Sequence, residues 1–259
     1  MATLIDISAT SSSVDEILSL RELYRQEMNC QIIHDSLHTR SGWTNPYLLR
    51  VDGVEAGYGS MAIGGPWNGK PTLFEFFVFP AFRTRVFDLF RVLLSVSGAE
   101  AIETQSNDSM LTTMLHTFSQ SVKSESILFH DKVMTGHAIP GAVVRKKRDD
   151  DNEQIAQQQL DGDSSWVLEL NGVIAATGGI LMHYNRPYGD IYMKVGEAFR
   201  RRGIGAFVVQ ELKRICYERG DVPAARCRVD NEASRKTLQK AGFVPCGHIL
   251  VGQLILPNS

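Results

Sequence analysis

The stretch of this chain richest in potential chemistry is Ile191-Tyr-Met-Lys-Val-Gly-Glu-Ala-Phe-Arg-Arg-Arg-Gly-Ile-Gly-Ala206. Its apolar start predicts a strand over Ile191–Val195, and the repeat Ile204, Val208, Leu212, Ile215 predicts a helix over Ile204–Arg219. Gly203 and Gly205 stand where that helix begins. Glycines there leave the backbone uncovered, so several N–H groups can converge on an anion, and the helix dipole favours negative charge. Arg200, Arg201 and Arg202 add three cations directly before it. Between Lys194 and Lys240 there are twelve Lys/Arg against six Asp/Glu, in a chain whose overall net charge is −2. Basic charge is therefore concentrated around a pyrophosphate-sized cradle, as a small polyanion would favour. On the same helix Gln210, Glu211, Lys213 and Arg214 are expected to face outward.

A second block, Asn231-x-x-Ser234…Lys240-x-Gly242-Phe243, falls on a predicted short helix over Ala233–Ala241. Asn231 suits the helix N-cap, Gly242 the helix stop and Phe243 the core. With Arg200-x-x-Gly203-x-Gly205-Ala206 ahead of it, the chain resembles the GCN5-related N-acetyltransferase (GNAT) superfamily. The first block is similar to that family's acetyl-CoA pyrophosphate motif, Gln/Arg-x-x-Gly-x-Gly/Ala. The second is similar to its Asn-x-x-Ala/Ser…Lys-x-Gly-Phe segment. The resemblance is clear from about Ala142 to Ile255. It implies a mixed sheet whose fourth and fifth strands part, acetyl-CoA as cosubstrate, and direct attack by an amine on the thioester. Carried over residue by residue, Met193, Lys194 and Val195 supply the strand edge for the pantetheine. Arg200, Arg201, Arg202, Gly203, Ile204, Gly205 and Ala206 hold the pyrophosphate, and Asn231 with Ser234 reaches the arm of the cosubstrate.

The sequence also departs from that family. Many members carry a tyrosine seven residues after the motif asparagine, which protonates the departing thiolate; here that position is Leu238, which cannot donate a proton. Its ordinary reading is a core leucine of that helix; if the chain is an active acetyltransferase, the spacing from Asn231 puts it on the cleft side, near the sulfur. Some relatives carry a glutamate on the fourth strand where this chain has Gly189; Asp190 is adjacent, but one residue along a strand turns the side chain to the other face. Asp190 and Tyr192 are the catalytic candidates. His183, Tyr184 and Tyr188 are further polar groups expected near the cleft, where shaping the substrate site is the more ordinary role. These departures keep a second reading open, a non-catalytic acyl-CoA-binding or regulatory module. A nucleotide-binding Rossmann fold fits less well, because Gly-x-Gly lacks the third glycine and repeated hairpins do not suit a parallel sheet.

The elements that must position these residues occur twice. A helix over Val14–Met28, a hairpin turning at Asp52-Gly53, strands at Thr72–Phe79 and Ala101–Gln105, and helices at Phe82–Val96 and Asp108–Gln120 make one set. A strand at Ala142–Lys147, a polar helix at Asp149–Gln159, a hairpin turning at Asn171-Gly172, the Ile191 strand, the Ile204 helix, strands at Ala224–Val229 and Ile249–Ile255, and the Asn231 block make another. Gly53-Val54-x-Ala56 returns as Gly172-Val173-x-Ala175, and Ala81-Phe82-Arg83-x-Arg85 as Ala198-Phe199-Arg200-x-Arg202, at nearly the same spacing. The expected fold is α/β, two GNAT-like modules in tandem, each a mixed, mostly antiparallel sheet flanked by helices. Residues 1–133 would form a degenerate module and 134–259 the acetyl-CoA-binding one, with the boundary in Phe129–Pro140 and the amine acceptor held between the halves. Degeneracy is read from Val86 and Asp88, which stand where the second module has Gly203 and Gly205. A β-branched side chain would crowd the cradle and a carboxylate would repel a phosphate.

Composition excludes several other classes. With 259 residues, 43% hydrophobic and 22% charged, the chain can bury a core. The near-neutral balance excludes a general nucleic-acid binder, and the run Arg145–Arg148 is cancelled by Asp149–Asp151. No apolar run reaches the roughly 18 residues of a membrane span. The start Met1–Asp6 has neither a basic nor a long apolar region, so a cytoplasmic protein is expected. Cys30, Cys216, Cys227 and Cys246 lack zinc-like spacing, so free thiols and no metal are expected. The acceptor is expected to be an amine of a small molecule or peptide.

Overall fold

A computed structural model describes residues 5–255; of the N-terminal stretch Met1–Asp6, residues 1–4 lie outside the described residues. In chain order the elements are β1 (Ile7–Ser11), α1 (Leu18–Met28), β2 (Thr44–Val51), β3 (Val54–Ala62), β4 (Thr72–Val78), α2 (Val86–Ser97), β5 (Ala101–Gln105), α3 (Ser109–Phe118), β6 (Ser119–Asp131), β7 (Ala142–Lys146), α4 (Asn152–Gln157), β8 (Trp166–Leu170), β9 (Val173–Leu181), β10 (Tyr188–Val195), α5 (Ile204–Glu218), β11 (Val222–Arg228), α6 (Glu232–Lys240) and β12 (Phe243–Leu254). Both hairpins turn where expected, with positive φ at Asp52 and Gly53 and at Asn171 and Gly172, the left-handed pair a tight two-residue turn requires. The first helix starts later than expected. Ser13 and Glu16 hydrogen-bond to each other across a capped turn, and α1 begins only at Leu18.

The chain packs as two compact units, one comprising the residues up to Glu125 with those from Gly247 on, the other Ser126–Cys246. In the first, the sheet runs β1-β2-β3-β4-β5-β12, antiparallel except for β4 with β5. Leu49, Leu73, Phe76, Phe90 and Leu93 form its main core, and Ile17, Leu20, Tyr24, Tyr58 and Phe77 form a second cluster involving α1. In the second, the sheet runs β7-β8-β9-β10-β11-β6, antiparallel except for β10 with β11. Leu168, Ile191, Val209, Leu212, Leu238 and Phe243 fill its core with α5 and α6, while Val167, Ile174 and Ile155 form a separate cluster with α4. Alternate residues of β8 thus enter different clusters, as the twofold period of a strand requires. Each unit is a mixed, mostly antiparallel sheet flanked by helices.

The expected division at 133/134 follows chain order, and the compact units differ from it by two strands. The end of β6 pairs with β11, and β12 from Gly247 on pairs with β5. Neither β1 nor β6 was expected. The first eight residues of β6, Ser119–Ser126, are mostly polar, and Ser119 and Gln120 fall within the helix expected over Asp108–Gln120.

Gln210 and Lys213 do not face outward as expected; both are buried. The Gln210 amide accepts from the His137 N–H at 2.6 Å and donates to the His137 carbonyl at 3.0 Å. Lys213 donates to the carbonyls of Val133 and Ala241 at 2.8 and 2.7 Å. The segment after β6 lies over α5, and its backbone groups need polar partners there.

Candidate functional site

The site is built on the parting of two parallel strands. β10 and β11 pair only through Tyr188–Asp190 with Val222–Ala224. Beyond that point the edge of β10 from Ile191 to Val195 has no partner in β11, while its other edge stays paired to β9. The N–H and C=O groups of that first edge have no partner strand in β11. After Val195 a 3₁₀ turn, Glu197–Phe199, leads to Arg200 and the start of α5. Arg201 and Gly203 both have positive φ, 60° and 80°. Gly203 serves as N-cap with no side chain to satisfy the first N–H groups of α5, which stay free for a ligand.

A cavity of about 670 Å³ opens there. Met193, Lys194, Val195, Phe199, Arg200, Arg201, Gly203, Ile204, Gly205 and Ala206 line one wall, and Asn231, Ala233, Ser234, Lys236, Thr237 and Lys240 of the α6 segment line the other. The glycines fit this shape for different reasons. A Cβ at Gly203 would touch nothing within 4 Å, so its role is the left-handed backbone. A Cβ at Gly205 would lie 3.0 Å from Thr237 Cγ2 and 3.3 Å from Met193 Cε, so glycine there lets the two walls approach. Asn231 does two things: its Oδ1 accepts from the Ser234 N–H at 3.0 Å, capping α6, and it lines the cavity. Arg202 is outside the lining, with its guanidinium 5.7 Å from the Phe199 ring centroid. Sequence reasoning missed Phe199 and the α6 wall of Ala233, Lys236, Thr237 and Lys240, although those four repeat at i, i+3, i+4 and i+7, the spacing of one helix face.

Asp190 is the last residue of β10 paired to β11, at the vertex of the opening. Its Oδ2 is 2.8 Å from His183 Nε2 and 3.5 Å from Arg226 Nε, and its side chain is nearly buried. Tyr184 is buried beside it; burial first, then the charge of Asp190, pushes its phenol well above the usual tyrosine range. Tyr192 lies two residues along β10 on the same face as Asp190. Its ring covers Gly179 of β9, where a Cβ would come within 2.7 Å of the phenol oxygen. Tyr188 begins β10, half-buried, its N–H donating to the Asn185 carbonyl.

Leu238 is the core leucine of its ordinary reading, and the alternative position beside the sulfur is not the one it takes. It is 4% exposed, packed in the core of the second unit, and outside the cavity lining. One residue along a helix is a rotation of about 100°, so with Thr237 toward the cavity Leu238 turns into the apolar core.

The first unit has the same parting in its sheet. β4 and β5 pair through Thr72–Leu73 with Ala101–Ile102 and then separate. There the chain fills its own opening: the Ile33 N–H donates to Gln105 Oε1 at 3.1 Å, the Gln105 amide contacts Cys30 Sγ, and His34 and Trp67 both bond the Glu103 carboxylate. The space left among Tyr24, His34, Phe74 and Glu103 is about 20 Å³, room for a single water. Val86 and Asp88 stand in the first turn of α2, Asp88 paired to Arg91 at 3.4 Å.

The model of the acetyltransferase (GNAT) family matches residues 137–243, which include both walls of the cavity. The matched residues, 137–243, resemble a GNAT domain. An acetyltransferase of the GNAT family from Colwellia psychrerythraea shares the fold, with 14% identity, a TM-score of 0.72, and coverage of 96% of this chain and 100% of that one. A GCN5-related N-acetyltransferase from Sphaerobacter thermophilus does so at 13% identity and a TM-score of 0.62, covering 95% of each chain. A tandem GNAT protein from the clavulanic acid biosynthesis pathway matches at 10% identity and a TM-score of 0.64, covering 98% of this chain and 100% of that one. Among curated proteins, none matches the sequence. The chain thus shares its fold with these solved structures. Among the described residues no helix is long and apolar enough to cross a membrane, and no group of three or more His, Cys, Asp or Glu side chains could hold a metal ion.

Proposed function

We propose that the GNAT-like domain transfers an acetyl group from acetyl-CoA to an amine of a small molecule or peptide. The observation that carries this reading is the cavity joining the free N–H groups of the α5 start to the unpartnered edge of β10. In this reading the backbone of Gly203–Ala206, with Arg200 and Arg201, holds the pyrophosphate. The edge from Val195 back to Met193 pairs with the pantetheine, and Asn231 and Ser234 close over it. Five residues of strand, at about 3.3 Å each, separate Val195 from Asp190. An extended arm anchored at α5 therefore delivers its thioester close to the vertex.

There the neutral amine attacks the carbonyl carbon. A C–N bond forms, the C–S bond breaks, and the electron pair leaves with sulfur. An N–H of the β10 edge polarises the carbonyl oxygen. The ammonium proton passes to His183, held by Asp190, whose carboxylate also faces Arg226 at the vertex. Asp190 is in this scheme a positioning residue. Tyr192 is the phenol available to protonate the thiolate, because Leu238 is buried and apolar.

Thiol release from acetyl-CoA across a panel of amines, with the acceptor gaining one acetyl mass, tests the reading. The leucine at the usual tyrosine position favours a second one, an acyl-CoA-binding module without turnover. Binding with no thiol release for any amine would select it.

A further inference from the structure

We infer that the α6 wall of the cavity is a separate subsite for a phosphomonoester, and that the domain selects a nucleotide bearing a ribose 3′-phosphate over the same nucleotide without it. This rests on the acetyl-CoA reading above and adds which part of that ligand the second wall recognises. Five cations line the cavity, Lys194, Arg200, Arg201, Lys236 and Lys240, against the single carboxylate of Glu232. Arg200 and Arg201 belong to the loop that precedes α5, where free N–H groups already meet one anionic centre. Lys236 and Lys240 do not. They are one turn apart on α6, flanking Thr237, which meets Gly205 at the start of α5.

That stripe therefore stands next to the pyrophosphate cradle but on a different element. A pyrophosphate held by the α5 start leaves this wall facing whatever else the ligand carries. Among the described residues the Lys240 ammonium has no ion-pair partner, and Lys236 is tied only to Glu232 one turn back, at 2.8 Å, a solvent-exposed pair that contributes little. Two lysines with four or more mobile donors, beside an already satisfied diphosphate, match a compact dianion better than an adenine ring or an uncharged arm. In CoA the group of that description is the 3′-phosphate.

The test is calorimetric titration of the full chain with CoA and with 3′-dephospho-CoA, repeated on a Lys236→Gln/Lys240→Gln variant. Both lysines are exposed and glutamine keeps helix propensity, so the fold is retained. The native protein is expected to bind CoA about tenfold or more tightly than dephospho-CoA, the effect of one or two charge-assisted hydrogen bonds. The variant is expected to lose that preference by weakening CoA alone. Equal affinity of the native protein for both, or an equal loss for both in the variant, overturns the subsite and leaves the acetyl-CoA reading standing. Failure of both nucleotides to bind the native protein overturns that reading, and this inference with it.

Discussion

The Lys213 ammonium lies 2.5 Å from a carboxylate oxygen of Asp131, with 0% and 3% of the two side chains exposed. Attraction between buried ions offsets their desolvation only when further hydrogen bonds complete the site. Here they do. Lys213 also donates to Val133 and Ala241, it lies 5.3 Å from the Phe243 ring centroid, and the Tyr217 hydroxyl donates to Asp131 at 2.8 Å. The pair joins the end of β6 to the middle of α5. Gly242 makes room for the same crossing, since a Cβ there would lie 1.9 Å from the Val133 carbonyl oxygen. The Lys-x-Gly-Phe block thus helps secure a strand that comes from the other side of the expected boundary.

Breaking that pair from one side should be costly. Lys213→Met and Asp131→Leu are each expected to destabilise the protein by about 3–5 kcal/mol in urea unfolding, because each leaves a buried charge alone. The double variant should lose much less than the sum. Additive losses would show that the two groups do not depend on each other. By the same logic residues 134–259 expressed alone lack β6 and Asp131, and are expected to be insoluble or unfolded. A cooperatively folding fragment would contradict this.

The first unit carries two carboxyls whose titration acts in opposite directions. Burial opposes ionisation of Glu75, but His38 and Arg21 beside it, with hydrogen bonds from His38 and Tyr58, hold its carboxyl down to about 2. A depressed pKa gives stability that is present above the ordinary carboxylate range and lost as pH falls toward 2. Burial pushes Asp108 up to about 6, despite hydrogen bonds from the Leu111 N–H and the Tyr24 hydroxyl. There the folded state binds its proton more tightly, so that contribution is favourable at low pH and is lost as pH rises from about 4 through 6. Asp108→Asn should flatten the melting temperature against pH between about 4 and 6, and Glu75→Gln should flatten it between about 4.5 and 2 while lowering it at neutral pH. An unchanged slope in either window would contradict the assignment.

Leu238→Tyr is expected to do harm without benefit. The position faces a packed core, and overpacking costs roughly 1–3 kcal/mol. Thiol release should not rise, because a hydroxyl there does not reach the cavity. Faster turnover in this variant would place the side chain at the reacting sulfur after all.

His183→Ala should lower kcat about 10²-fold or more, the usual scale for losing a positioned proton acceptor, with little effect on acetyl-CoA affinity. Asp190→Asn should lower kcat, because His183 then loses the carboxylate that holds it. Tyr192→Phe should reduce kcat only when thiolate protonation limits the rate. A kcat that survives both His183→Ala and Asp190→Asn would exclude this pair from the reaction.

Much of this was legible in the sequence because local rules and the global fold agree. Asp52-Gly53 and Asn171-Gly172 dictate their turns locally, and Gly203 and Gly205 are explained by backbone angle and wall contact, both of which glycine alone satisfies. What was not legible depends on partners distant in the chain. Lys213 and Gln210 read as solvated helix residues until the segment 131–137 lies over them. The polar start of β6 conceals a strand whose end is fixed by pairing with β11. Counting from Asn231 leaves both a core and a cleft position open for Leu238, and the direction of its side chain is decided by which face of α6 packs on the core. The loss of the first cradle could be read from Val86 and Asp88, whereas the plug of Cys30, Ile33 and His34 could not, since nothing local in those residues announces it.

The most direct measurement is the stoichiometry of acetyl-CoA binding by calorimetry on the full chain, compared with Gly203→Val and Asp88→Ala. A valine at φ 80° is strained, and its side chain stands at the mouth of the cradle. One intact cavity in the second unit and a self-filled opening in the first predict about one site per chain, lost in Gly203→Val and unchanged in Asp88→Ala. Two equivalent sites, or full binding by Gly203→Val, would contradict the account.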